Sequence, residues 1–123
     1  MRPQSAKAKG RRLQQWFRDL LIKTLNIHEE DIESRSMGAG GEDLIMARDA
    51  RKKFPCSIEC KNQEKINLWE SYEQAKENSK SYEPIVVMKR NKSKPLVLVD
   101  AEYFVQLHNN NNNRSSDGEN EKV

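Results

Sequence analysis

Two acids and one lysine are set in two short, otherwise apolar runs. Asp43 heads the run Leu44-Ile45-Met46, and Glu59-Cys60-Lys61 closes the run Cys56-Ser57-Ile58. If both runs are neighbouring strands joined by a hairpin over residues 47–53, strand alternation sorts the second one. Cys56, Ile58 and Cys60 then share one face, and Ser57, Glu59 and Lys61 the other. Charged side chains in an apolar strand are costly unless a metal, a partner or a substrate offsets them. Two converging carboxylates form a hard oxygen site of the sort that holds Mg²⁺ or Mn²⁺. An ammonium at the same point stabilises negative charge on a reacting phosphate. The chemistry these residue types point to is metal-assisted phosphodiester hydrolysis.

The order Asp, gap, Glu-x-Lys on adjacent strands resembles the PD-(D/E)xK nuclease superfamily over residues 9 to 107. Glu59-x-Lys61 is the only Glu-x-Lys in the chain, and the glycines Gly38, Gly40 and Gly41 precede Asp43. Within the superfamily the chain is most similar to small Holliday-junction-resolvase-like proteins, including phage-type ones, whose first helix carries Lys-Gly and then a Glu. Here Lys9-Gly10 is followed by Gln14 in place of that acid, and the family's Pro before the Asp is replaced by Glu42. The resemblance implies an α/β fold with a mixed central β-sheet flanked by helices, restriction-endonuclease-like in architecture. It implies metal binding by Asp43 and Glu59, transition-state stabilisation by Lys61, and accessory roles for Gln74 and Gln14. It also implies a homodimer acting on DNA in a bacterial or phage-infected host cytoplasm. The expected function is a Mg²⁺-dependent endonuclease for branched DNA. Two alternatives remain open: a DNA-binding module on the same fold that does not cut, and a nicking or repair nuclease for ordinary duplexes.

The chain has 123 residues with a net charge of +3, and its mean hydropathy is −0.99. One domain with a lean core fits that length. No stretch approaches a membrane span or a secretory signal. Arg2, Lys7, Lys9, Arg11, Arg12 and Arg18 precede the first acid, Asp19, and further cations cluster at Arg48 to Lys53 and Lys89 to Lys94. Such clusters are a footprint for polyanions. Arg11 and Arg18 on the first helix, Gly38 and Gly40 in the loop, and Lys92 and Lys94 in a later turn are the candidate DNA contacts. Cys56 and Cys60 would lie on the order of 13 Å apart along one strand, too far to bridge. They read as small buried apolar groups in a reducing compartment.

The elements that must position the site follow from periodicity. Residues 1–8 read as a mobile basic arm. Leu13, Trp16, Phe17, Leu20, Leu21 and Leu25 recur at three and four, which predicts an amphipathic helix over 10–25. Residues 32–36 read as a short edge strand. Asn67 with Glu70 forms a capping box for a helix burying Leu68, Tyr72 and Ala75, with Gln74 on the stripe shared by Asn67, Ser71 and Asn78. Residues 84–88 and 95–99 are apolar runs, expected as strands buried on both faces and joined by a hairpin turn. Asp100 is expected to cap a last helix that buries Tyr103, Phe104 and Leu107. The nuclease-like domain is expected to span 9–108, and the Asn-rich end, 109–123, to be a disordered tail.

Overall fold

A computed structural model of the protein describes residues 3–35 and 40–109. Helix α1 (Pro3–Leu25) comes first. Leu13, Phe17 and Leu21 are buried along one stripe at a spacing of four, and Asn26, at φ 58, ends the helix in the left-handed conformation common there. Because α1 starts at Pro3, most of the expected basic arm is continuous with it. Trp16 and Leu20, expected in the buried set, lie off that stripe and stay exposed at 45% and 39%.

A 3-10 turn (Glu29–Asp31), whose amide at Glu30 donates to His28 Nδ1, leads into β1 (Ile32–Ser34). This strand pairs antiparallel with β2 (Leu44–Met46), Glu33 opposite Ile45. Helix α2 (Arg48–Lys53) follows, and it corrects the hairpin expected over 47–53. Ala50 packs into the core while the flanking cations remain in solvent or on partners, so one helical turn and a half carries the chain across.

Strand β3 (Cys56–Asn62) therefore does not form a ladder with β2. It pairs parallel with β4 (Glu83–Lys89), Glu59 opposite Val86, and β4 pairs antiparallel with β5 (Leu96–Leu98). The parallel pair is possible because α3 (Leu68–Glu77) supplies the crossover between them. Asn67 caps α3 as expected, its Oδ1 accepting from the Glu70 amide at 3.0 Å. The result is a small mixed α/β domain: a three-stranded mixed sheet and a separate two-stranded hairpin, with helices around them.

The core lies between α1 and the sheet. Leu13, Phe17 and Leu21 meet Ile32, Leu44, Met46, Cys56, Ile58, Ile85 and Val87. Val86 and Ala75, also fully enclosed, lie where α3 packs on β4. Phe17 meets Phe54 edge-on at 6.0 Å between ring centroids.

The run 95–99 departs from expectation. Leu96 and Val97 are 54% and 47% exposed, since β5 is a three-residue edge strand bonded only to β4. Helix α4 (101–109) is capped by Asp100, whose Oδ2 accepts from the Tyr103 amide at 3.0 Å. Of its expected buried set only Tyr103 packs inward, against Cys56, while Phe104 and Leu107 face solvent. No helix among the described residues is long and apolar enough to cross a membrane. Of the expected tail, 109–123, Asn109 closes α4 and residues 110–123 lie outside the described residues.

Candidate active site

Asp43 reaches β3 through its own main chain. Its amide donates to Ile58 O at 2.8 Å, and its Oδ2 accepts from the Cys60 amide at 2.6 Å. Those two contacts bracket Glu59. The acid expected to sit across a ladder is instead docked on the strand's edge, immediately beside the second acid. Asp43 is held from the other side by the Arg35 amide, which donates to Asp43 O at 2.8 Å.

Strand alternation on β3 is as expected. Cys56 and Ile58 enter the core with Cys60 packed against it, and Ser57 turns to α3, its Oγ donating to Asn78 O at 3.4 Å. Glu59 turns the same way as Ser57. One cleft of about 400 Å³ gathers Gln14, Gly40, Asp43, Glu59, Lys61 and Gln74. Five of these are the residues singled out for chemistry, brought from α1, the β2 approach, β3 and α3. Gln14 is 3% exposed, and its Oε1 accepts from the Ser34 hydroxyl. Gln74 is exposed on the cleft's α3 wall.

The electrostatics follow from two carboxyls sharing a half-buried site. Burial, and then the charge of Asp43, push the Glu59 carboxyl up from 4.5 to about 7, with Lys61 and the Asn78 side chain opposing the rise. Burial also raises Asp43, against the Cys60 amide and the charges of Lys61 and Arg35. The Cys60 thiol is pushed well above its ordinary value by burial, then by the charges of Asp43 and Glu59. Glu59 Oε1 is buried with no hydrogen-bond partner. An orphaned carboxylate oxygen beside a second carboxylate is a place where a cation would offset the cost of burial. Among the described residues, no group of three or more His, Cys, Asp or Glu converges as a metal cluster. Protein ligation would thus come from two acids, which suits a cation that keeps several waters.

Other candidates lie elsewhere. The Arg18 guanidinium is committed to structure, donating to Ile32 O at 2.7 Å and Glu29 O at 2.8 Å, so it ties α1 to β1. It is not free for DNA. Arg11 is exposed on α1. Lys92 and Lys94 are exposed in the β4–β5 turn, Lys92 at φ 64, and do not line the cleft. Gly40 lines the cleft with open space where a Cβ would stand, and Gly38 lies outside the described residues. Gly41 has a steric duty: its φ is +96, and an added Cβ would stand 3.2 Å from the Arg35 guanidinium.

Three residues escaped the sequence reading. Arg35 donates through Nε to Glu42 O at 2.6 Å and draws the Asp43 carboxyl downward. Glu42 is buried, and Arg51 of α2 pairs with its Oε1. Arg51 also donates to Cys56 O at 3.2 Å and lies 4.2 Å from the Tyr82 ring centroid. No signal marked these contacts, apart from Arg51 falling in a basic cluster. Comparison with protein-family models, curated proteins and solved structures gives no match for this chain.

Proposed function

We propose that the protein is a metal-dependent endonuclease of restriction-endonuclease-like fold that hydrolyses phosphodiesters in DNA, branched DNA above all. The observation that carries this is the bracketing of Glu59 by the amide and carboxylate of Asp43, with Lys61 on the same cleft and one carboxylate oxygen left without a partner. Asp43 and Glu59 would hold Mg²⁺ or Mn²⁺, which when bound supplies Lewis acidity toward a phosphate oxygen. Lys61 supplies an ammonium to charge developing on the phosphoryl oxygens. Gln14, fixed by Ser34, and Gln74 offer amides that orient water or a phosphate oxygen. Glu59, retaining its proton to about pH 7 in the absence of a cation, must give it up to bind one.

DNA would be held by phosphate neutralisation at Arg11, Lys92 and Lys94, cations on the same molecule but outside the cleft. The homodimer that symmetric cutting needs would use β5 and α4, where Leu96 and Val97 on an edge strand and Phe104 and Val105 on the helix leave apolar surface exposed. Val97→Lys should then shift the sedimentation of the protein from dimer to monomer; a monomeric wild type removes that assignment.

End-labelled four-way junction, flap and linear duplex, each incubated with Mg²⁺, Mn²⁺ or EDTA, test the activity. Metal-dependent cutting of the junction is the expected result. Equal cutting of linear duplex would make the protein a general nicking or repair nuclease. Tight binding without cutting in either metal would make it a binding module, a reading that Gln14 in place of an acid favours.

A further inference from the structure

A separate groove, of about 560 Å³, lies between α1 and the β4–β5 turn. Its walls are amphipathic. Trp16 stands on one side, 45% exposed although its neighbour Phe17, 6.3 Å away between centroids, is buried. Lys9, Arg12 and Lys89 bring positive charge to the lining, against the single acid Asp19, which pairs with Arg18 at 3.4 Å. The rim is preorganised: Asn62 Nδ2 donates to Lys9 O at 2.9 Å, Lys9 Nζ donates to Asn91 Oδ1 at 2.8 Å, and the Asn91 amide donates to Glu64 at 2.6 Å.

Cleft and groove are built on the same two elements, α1 and β3, with no lining residue in common. On α1, Gln14 faces the cleft while Leu13 and Trp16 line the groove; on β3, Lys61 lines the cleft and the next residue, Asn62, the groove. An indole face next to cations is what an unstacked base and its phosphate recognise, and any base has such a face to offer. A base inside a duplex has both faces covered by its neighbours, so Trp16 selects against it.

We infer that this groove is a binding site for unpaired nucleotides, with one base stacked on Trp16 and the flanking phosphates neutralised by Lys9, Arg12 and Lys89. The inference rests on the nuclease reading for its direction, since it gives that activity a substrate with a single-stranded segment. The stacking site itself is measurable without any cutting.

The chain has two tryptophans, so a Trp69→Phe protein carries Trp16 as its sole indole. Titrated in EDTA with an oligothymidylate of about ten nucleotides, its emission should be quenched, and a blunt duplex should quench it far less. Trp16→Ala should weaken oligothymidylate binding about tenfold, with blunt-duplex binding and the far-UV circular dichroism unchanged, and Trp16→Phe should recover most of the loss. Binding without quenching, equal losses on both nucleic acids, or a Trp16→Ala protein that changes oligomeric state would overturn the assignment. Metal-dependent cutting without a Trp16 response removes this site and spares the nuclease; a Trp16 response without cutting does the reverse.

Discussion

Replacing Glu59 by Gln isolates the electrostatic cost of the site. In the folded protein this carboxyl keeps its proton to about pH 7, against an ordinary value of 4.5. Between those values the folded state binds more protons than the unfolded chain, so stability falls as pH rises. The contribution is fully present below 4.5 and is lost as pH passes through about 7. A fully enclosed group with that difference would represent about 3 kcal/mol. Glu59 is only half-buried, and Lys61 and Asn78 face it, so screening reduces the expected effect to about 1–2 kcal/mol. Gln has the shape of the protonated acid and never ionises. In EDTA, Glu59→Gln should match the wild type near pH ~5 and exceed it by about 1–2 kcal/mol near pH ~8. Thermal melts would show this as a Tm gap of about 5–10 °C that opens with pH. Adding Mg²⁺ near pH ~8 should raise the wild-type Tm, by about 2–3 kcal/mol of stabilisation at a hundredfold excess over Kd, and leave the variant unmoved. A gap that is the same at both pH values, or a variant less stable at the higher one, would refute the assigned burial; an equal Mg²⁺ response in both proteins would place the cation elsewhere.

Lys61→Ala should lower the cleavage rate about 10²–10³-fold while junction binding, followed by gel shift, stays largely intact. Arg51→Met leaves Glu42 buried without its cation and also loses the Tyr82 contact; urea denaturation should register a loss of about 3 kcal/mol, and a loss under ~1 kcal/mol would show the pair to be solvated. Gly41→Ala must adopt a positive φ against the Arg35 guanidinium, and should cost about 1–2 kcal/mol by the same measurement.

The cleft's membership was legible because it depends on a period of two and on a cap. Once Cys56, Ile58 and Cys60 are assigned inward, Glu59 must leave on the other side with Ser57, and Asn67 fixes the helix that brings Gln74 over it. What could not be read is how the strands meet. Residues 48–53 bury only Ala50, too little for a helical period to show, so a six-residue helix passed for a turn. Pro95 to Val99 has the same apolar pattern whether it is covered on two faces or lies at an edge, and composition does not decide between them. Glu42 and Arg51 find each other only because α2 folds back, a relation that spacing along the chain does not encode. Arg18 carried the charge expected of a DNA contact, but the carbonyls of Glu29, in the 3-10 turn, and Ile32, at the start of β1, claim it.

The way Asp43 is fastened separates scaffold from chemistry. Main-chain atoms supply one of its two links to β3, and an asparagine oxygen can accept the other from the Cys60 amide as a carboxylate does. Asp43→Asn would thus leave the shape whole while removing one of the two acids to which the proposed hydrolysis is assigned. Under the proposed function, one substitution separates a protein that cuts its substrate from one that only holds it.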